Sequence, residues 1–184
     1  LTIGGATNFE NITGSNSDEI IIGDSKSNKL NGFSGSDTLD GGSGTDIITT
    51  GSGSDIIVIR PEDGISSLEL ADRITDFQDG YDIIGMVGLN YSEFIIQQGT
   101  ENFASHTILS ISGKYVAILE NTIASNINIA DFMAMPTSYI GVPSDTYESD
   151  TATFTAAVDQ WQSDGMGVGM DGPSMKLHHK DVDG

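Results

Sequence analysis

The chain has 184 residues, enough for one or two domains. Its 27 acidic and 7 basic side chains give a formal net charge of −20, which argues against nucleic acid or an acidic membrane surface as a partner, because binding to either begins with basic groups. Cysteine is absent, which excludes disulfides and thiolate metal sites, and every apolar run is too short to be a transmembrane segment.

The N-terminal third of the chain contains a repeated nonapeptide. Its clearest copy is Gly-Gly-Ser-Gly-Thr-Asp-Ile-Ile-Thr at residues 41–49. Divided in nines, the sequence predicts repeats at 13–21, 23–31, 32–40, 41–49 and 50–58, with Ile22 as a single insertion. Aliphatic residues then fill every eighth position, namely Ile20, Leu30, Leu39, Ile48 and Ile57. A fixed period of this kind predicts a solenoid in which each coil buries its apolar face against its neighbours.

Each repeat also carries an oxygen-bearing side chain two places before the aliphatic residue. These side chains belong to Asp18, Asn28, Asp37, Asp46 and Asp55. Stacked coils would bring the carboxylates close together, and two charges about 4 Å apart repel by roughly 4 kcal/mol at an effective dielectric of 20. We therefore expect a cation between coils. Calcium accepts six to eight oxygens in flexible geometry, whereas magnesium should substitute poorly.

Two further rungs, each a turn and a short strand, are predicted downstream. Asp72-Arg73-Ile74 and Asp82-Ile83-Ile84 repeat the spacing from ligand to core residue, and Gly80 precedes Asp82 at the expected distance. Strand-like runs then follow at 94–97, 106–111 and 115–119, separated by Gly, Asn and Ser. We expect this segment to cap the open end of the coil.

The C-terminal part shows weaker patterns. Residues 134–149 resemble a linker, and 150–162 could form a short helix that places Phe154, Val158 and Trp161 on one face. The last 22 residues show no periodicity. The predicted domains are therefore 1–63, a calcium-binding roll; 64–133, degenerate coils and a β-rich cap; and 134–184, a linker and an extension.

The frame Gly-Gly-x-Gly-x-Asp-x-aliphatic-x resembles the RTX (repeats-in-toxin) family of calcium-binding nonapeptide repeats. The resemblance implies an all-β fold: a right-handed parallel β-roll closed by a β-rich C-terminal cap and followed by a largely irregular tail. It also implies several calcium ions between coils on both edges of the roll, each held by aspartates of repeats n and n+2 and by backbone carbonyls.

Carried over by position, the resemblance pairs Asp18 with Asp37 and Asp37 with Asp55 on one edge, and Asn28 with Asp46 on the other. It also suggests that Asp46 pairs with Asp63 and that Asp55 pairs with Asp72. The predicted carbonyl ligands lie at Gly14, Asn16, Gly32, Gly35, Gly41, Gly44, Gly51 and Gly53.

Some residues depart from the frame or fall outside it. Asn28 is neutral, so its site should be weaker, and Lys26 places a cation where glycine is expected. Asp24 and Asp40 lie off the ligand position, and we expect them to be surface charges. His-Glu-x-x-His, Gly-x-Ser-x-Gly and phosphate-binding loops are missing from the sequence, so we expect no enzyme activity.

Two functions fit these patterns. The first is a secreted, extracellular or cell-surface calcium-binding protein that folds on calcium binding and serves as a structural or self-assembling component, such as a surface layer or filament. The alternative is the C-terminal secretion and folding module of a larger exoenzyme, a protease or lipase with its catalytic domain upstream. The family resemblance implies type I secretion machinery as a partner. Because the chain opens at Leu1 and shows no signal peptide, we expect a fragment or a processed product.

Overall fold

The computed structural model describes residues 2–3, 11–137, 166–171 and 174–179, and side chains within 11–137. The chain divides into two compact units, Leu1–Val142 and Pro143–Gly184. Within the described part of the first unit, strands alternate between two sheets. The strands are β1 Thr2–Ile3, β2 Asn11–Thr13, β3 Ile20–Ile22, β4 Lys29–Asn31, β5 Thr38–Asp40, β6 Ile47–Thr49, β7 Ile56–Ile59, β8 Asp72–Ile74, β9 Ile83–Val87, β10 Phe94–Gln98, β11 Thr107–Ile111, β12 Lys114–Leu119 and β13 Phe132–Met135.

The first sheet has the order β1-β3-β5-β7-β9-β13, and its strands are all parallel. The second has the order β10-β11-β12-β8-β6-β4-β2 and is parallel from β12 to β2. Consecutive strands up to β9 therefore fall in opposite sheets, and two nonapeptides make one coil. The predicted all-β parallel roll is confirmed.

The core is a double column of aliphatic side chains between the two sheets. Ile21, Leu39, Ile57 and Ile84 lie opposite one another in the first sheet. The second column contains Ile12, Leu30, Ile48 and Ile74, and all eight side chains are at most 7% exposed. Burial of one such side chain contributes roughly 1.5–3 kcal/mol, so these columns dominate the stability of the roll.

The observed columns place the first repeat one residue away from the predicted register. Ile21 is fully buried, whereas Ile20, the predicted core residue, is 36% exposed. Ile21 also pairs with Leu39. The core positions from Ile12 to Ile57 therefore recur every nine residues without a break, and the predicted insertion at Ile22 is wrong.

The two downstream strands and the cap form as the sequence predicts, and the two strands together make one further coil. Strand β8 continues the second sheet beside β6, and β9 continues the first beside β7. Antiparallel β10, β11 and β12 then cover the end of the second sheet through the parallel pair of β12 and β8. Tyr91 and Phe94 both contact the ring of Phe132, with centroids 5.0 Å apart in each pair.

In the second unit, strands β14 Met166–Asp171 and β15 Ser174–His179 pair antiparallel. Sequence periodicity gave no sign of this pair. The predicted helix at 150–162 lies outside the described residues. Helical structure in the described part of the chain consists of short 3-10 turns, none long or apolar enough to cross a membrane.

Candidate metal-binding edges

The turns that link the two sheets stack into two rows, one along each edge of the roll. The Asp37 edge comprises the turns at 14–19, 32–37, 50–55 and 75–82. The Asp46 edge comprises the turns at 23–28, 41–46 and 60–71. Each of these turns ends with or is followed by a residue that carries a side-chain oxygen: Glu19, Asn28, Asp37, Asp46, Asp55, Asp72 or Asp82.

On the Asp37 edge, each carboxylate is tied to the coil before it. Asp37 Oδ1 accepts the backbone N–H of Glu19 at 2.8 Å, and Asp55 Oδ1 accepts that of Asp37 at 2.8 Å. The series ends at Asp82, whose Oδ1 accepts the N–H of Asp55 at 3.2 Å. One oxygen of each of these three aspartates therefore holds neighbouring coils in register.

The Asp46 edge repeats the arrangement. Asp46 Oδ1 accepts the N–H of Asn28 at 2.8 Å, and Asp72 Oδ1 accepts the N–H of Asp46 at 2.8 Å. Asn28 is 2% exposed, and its Oδ1 accepts the N–H of Asp24 at 2.8 Å. The neutral side chain of Asn28 thus occupies the position that a carboxylate occupies in the other repeats.

The second oxygen of three of these carboxylates is buried and unsatisfied. Among the described residues, Oδ2 of Asp37, Asp46 and Asp55 has no hydrogen-bond partner, and each of these side chains is at most 1% exposed. A buried polar atom without a partner costs about 1–3 kcal/mol, and more when it is charged. The same feature recurs along both edges, so the aspartates present fit a cationic ligand that repeats from coil to coil.

Two of the unsatisfied oxygens, those of Asp37 and Asp46, lie against glycine backbone. A Cβ atom added to Gly41 would stand 2.5 Å from Asp46 Oδ2, and one added to Gly32 would stand 2.5 Å from Asp37 Oδ2 and 2.4 Å from the carbonyl oxygen of Thr50. A side chain here would fill the space between carboxylate and carbonyl. Because glycine has no side chain, that space stays open beside a carboxylate oxygen and a carbonyl oxygen, which are both hard ligands.

Burial raises the pKa of these aspartates. It raises the pKa of Asp46 to about 8, with a further contribution from the charge of Asp72, against the hydrogen bond from Asn28. Burial likewise raises the pKa of Asp55 to about 6, and the pKa of Asp37 is raised for the same reason. A nearby cation would reverse this preference for the protonated form.

These features fit calcium. The ion binds carboxylate and carbonyl oxygens together in flexible geometry. Within residues 11–137, no group of three or more His, Asp or Glu side chains is arranged to hold a metal by itself. A cation between coils would therefore need backbone carbonyls as well as the carboxylates, as the glycine cradle allows.

The predicted carbonyl positions all lie in these turns. Gly14, Gly32 and Gly41 occupy the first position of their turns. Gly35, Gly44 and Gly53 occupy the fourth, where an added Cβ would meet a backbone carbonyl oxygen of the preceding coil at 2.6, 2.6 and 1.7 Å. Gly51 occupies the second position, over the carbonyl of Phe33, and Asn16 is an exposed third-position residue.

In the first repeat, Glu19 rather than Asp18 occupies the buried acidic position on the edge. Asp18 is exposed, and its Oδ1 accepts the N–H of Ser36 at 2.7 Å. Glu19 is 3% exposed, lies nine residues before Asn28, and accepts the N–H of Ser15 at 2.9 Å. With the register shifted, Ser17 rather than Asn16 takes the fourth position, and Gly35 lies against its carbonyl.

Two other predictions about the edges are also corrected. Asp55 is followed on its edge by Asp82, not by Asp72, which follows Asp46. Asp24 and Asp40 are not surface charges, since they are 7% and 0% exposed.

Asp63 lies in a 3-10 turn at Pro61–Asp63, close enough to Asp46 for its charge to raise the pKa of that carboxyl. Asp63 Oδ2 accepts the backbone N–H of Arg60 at 2.7 Å. Asp63 therefore lies near Asp46 although it belongs to no nonapeptide, and their sharing of one ion stays a prediction.

Comparison with known proteins agrees with this geometry. Residues 13–48 and 32–58 match the family described as RTX calcium-binding nonapeptide repeat (4 copies). No curated protein matches the chain.

Two solved structures are similar, both solution structures of subunits of the mannuronan C5-epimerase from Azotobacter vinelandii. The AlgE6R2 subunit is 21% identical, with 70% of this chain and 94% of that chain covered and a TM-score of 0.45. The AlgE6R3 subunit is 23% identical, with 74% and 88% covered and a TM-score of 0.40. Residues 13–58 lie in the observed coils and match this family. This segment of the chain therefore consists of RTX calcium-binding nonapeptide repeats.

Proposed function

We propose that this chain is a calcium-dependent folding module, in which ions bind between coils along both edges of the roll. The observation that carries the proposal is the set of buried, unsatisfied Oδ2 atoms on Asp37, Asp46 and Asp55, together with the backbone carbonyl that shares the Gly32 cradle with Asp37. On the Asp37 edge, Glu19, Asp37 and Asp55 would supply the carboxylates. On the other edge, Asn28, Asp46 and Asp72 would supply the side-chain oxygens.

Calcium would act as part of the folding free energy. Extracellular calcium modules bind with dissociation constants of about 0.1–1 mM. At free calcium ten times such a constant, each site stabilises the fold by roughly 1.4 kcal/mol, since the gain follows RT ln(1 + [L]/Kd). A few sites therefore match a large part of a domain's net stability of roughly 5–15 kcal/mol.

The same relation suggests where the protein works. At submicromolar calcium the stabilisation is close to zero, and the like charges along the edges oppose folding. We therefore propose that the chain stays unfolded inside the cell and folds after export, with type I machinery as the exporter that the family resemblance suggests.

We propose a non-catalytic role outside the cell, as a surface, matrix or self-assembling component. The alternative, a folding module of a larger exoenzyme, would use the same calcium chemistry. A catalytic motif encoded upstream would favour the exoenzyme, whereas calcium-dependent filaments or sheets in electron micrographs would favour assembly.

Circular dichroism during a calcium titration tests the folding proposal. We expect β signal to appear cooperatively with calcium near neutral pH and to disappear in excess chelator, with magnesium giving a much smaller response. A roll that is fully formed in chelator would reject the proposal.

A further inference from the structure

The sequence contains a single Asn-Gly pair, formed by Asn31 and Gly32. In such a pair the backbone nitrogen of the glycine can attack Cγ of the asparagine, because glycine has no Cβ to hinder the approach. The bond from Cγ to the side-chain nitrogen then breaks, and that nitrogen leaves as ammonia with the proton of the glycine amide. The product is a five-membered succinimide. Water opens the ring at either carbonyl and gives aspartate or isoaspartate.

The folded roll keeps the reacting groups of this pair in other bonds. Asn31 ends β4, and Gly32 is buried at the first position of the turn that follows. The N–H of Gly32 donates to the carbonyl oxygen of Thr49 at 3.0 Å, so the attacking nitrogen is held in a bond between coils. Ring closure also needs rotation about the Cα–C bond of Asn31, out of the ψ range of a strand. Both the hydrogen bond and the strand conformation must be lost before the ring can form.

Contacts with two coils restrict this peptide further. Asn31 Oδ1 accepts the N–H of Phe33 at 3.0 Å, and the backbone carbonyl of Asn31 accepts the N–H of Gly14 at 2.7 Å. A Cβ atom added to Gly32 would stand 2.4 Å from the carbonyl oxygen of Thr50, so the next coil is in close contact as well. The Asn31–Gly32 peptide is therefore fixed between the coil before it and the coil after it.

The equivalent position of the next repeat offers a comparison. It is occupied by Asp40, which Gly41 follows. Arg60 Nη1 donates to Asp40 Oδ1 at 2.7 Å and Arg60 Nη2 donates to Asp40 Oδ2, and both side chains are buried, at 5% and 0% exposure. A carboxylate is also a poorer target than an amide for the same attack, because its negative charge repels the nucleophile. Of these two junctions, Asn31–Gly32 is the one at which loss of the fold exposes a reactive bond.

We propose that Asn31–Gly32 is a self-modification site that the folded roll blocks and the unfolded chain exposes, and that isoaspartate at residue 31 prevents the roll from forming again. Isoaspartate directs the main chain through Cβ and Cγ and lengthens it by one atom. The bonds from Gly14 to Asn31 and from Gly32 to Thr49 then no longer fit a nine-residue period, so β4 loses its register with β2 and β6. The dependence of this reaction on calcium rests on the proposed function, whereas the protection by folding does not.

Ageing of the full chain at mildly alkaline pH tests the protection. The three solutions are calcium, chelator, and calcium with concentrated urea, which unfolds the roll whatever the metal. Peptide mass spectrometry with chromatographic separation measures aspartate and isoaspartate at residue 31, and circular dichroism reports folding in each solution. We expect modification in chelator and in urea, and modification at least about tenfold slower in calcium, where the reaction needs local opening of the roll. Asn126, which Ile127 follows, is the internal control and should stay unmodified.

Two variants separate the effect of the longer main chain from that of the added charge. Asn31→Gln closes the ring far more slowly, and Asn31→Asp carries the charge of the ordinary product. After ageing in chelator, calcium is restored and refolding is measured by circular dichroism. Both variants should refold, whereas wild type should fail to refold in proportion to its isoaspartate content.

Each outcome bears on one part of the inference. Equal rates in calcium and in urea, with the calcium sample folded, would overturn the protection by the fold. Aged wild type that refolds as well as N31Q, or freshly prepared N31D that cannot fold in calcium, would overturn the role of main-chain length. A roll that stays folded and unmodified in chelator but reacts in urea would contradict the proposed function and support the protection.

Discussion

Asp46 holds Asn28 with one carboxylate oxygen and leaves the other oxygen unsatisfied. Its Oδ1 accepts the backbone N–H of Asn28 at 2.8 Å, and its Oδ2 is buried without a partner among the described residues. One half of the side chain thus serves the protein's own hydrogen bonding, and the other half is available to a ligand.

Asp46→Asn should separate the two roles. The amide oxygen can still accept from Asn28, but the charge available to calcium is lost. We expect the calcium midpoint of folding to rise about tenfold, because interactions with a charged group are worth about 1.5–3 kcal/mol and about 1.4 kcal/mol is a factor of ten. In chelator the same variant should be more stable than wild type near pH 8, since a costly buried charge is gone.

Calcium titration measures the first effect of D46N, and the fraction of folded chains in chelator, by circular dichroism, measures the second. Glu69→Gln, at an exposed position outside the edge ligands, is the control and should change neither. A D46N variant that is destabilised in chelator as well would contradict the assigned division of the side chain.

Glu19 and Asp18 provide a test of the register. Glu19→Gln should raise the calcium midpoint, because the buried Glu19 belongs to the Asp37 edge. Asp18→Asn should change it by less than about twofold, since exposed charges contribute about 0–1 kcal/mol. Circular dichroism over a calcium series distinguishes them, and a larger effect of D18N would restore the register predicted from sequence.

Stability without calcium should fall as pH rises. The pKa values of Asp46 and Asp55 are about 8 and about 6 in the folded state, above the ordinary value of 3.8, so the folded chain binds more protons than the unfolded chain between these limits. The free energy of unfolding therefore decreases with pH across this window, by about 1.4 kcal/mol for each unit of pKa difference.

Circular dichroism in chelator between about pH 5 and about pH 8 checks this sign, because the fraction of folded chains should be larger at the lower pH. Stability in saturating calcium should not show the same decline, because the ion favours the charged carboxylates. Greater stability at the higher pH in chelator would contradict the assigned pKa shifts.

Gly53 should be far less replaceable than Gly88. Both have positive φ, 143° and 68°, so alanine is strained at either site, by roughly 1–2 kcal/mol. At Gly53 the new Cβ would also stand 1.7 Å from the carbonyl oxygen of Gly35, whereas at Gly88 it meets no atom within 4 Å. We expect Gly53→Ala to cost about 1–3 kcal/mol more, by thermal unfolding in calcium. Equal losses would show that close stacking of the turns contributes little.

The coil and most of its ligands could be predicted from the sequence because each nonapeptide specifies a turn, an oxygen and a core residue within nine positions. The first repeat was misplaced for a physical reason. Asp18 and Glu19 are both acidic, and Ile20, Ile21 and Ile22 are equally apolar, so local composition cannot choose between two registers. The choice is made by pairing with β5, which sets Ile21 opposite Leu39.

The burial of Asp40 could not be predicted because its partner lies outside the periodic segment. Arg60 is 20 residues away and follows the last intact repeat. Asp82, by contrast, was marked by the spacing from Gly80 and to Ile84, although its place after Asp55 was missed because the intervening turn is longer than a nonapeptide.

The alternation of strands between two sheets also limits how such a chain can change in length. Strands β4, β6 and β8 lie in one sheet and β5, β7 and β9 in the other, and equivalent residues in adjacent coils are 18 positions apart from β4 to β6 and from β5 to β7. Loss of one nonapeptide would transfer every later strand, including β8 and its cap partner β12, to the opposite sheet. Loss or gain of a pair keeps each strand on its own side. Repeat number in this architecture therefore obeys a parity rule, with growth and shortening in even steps.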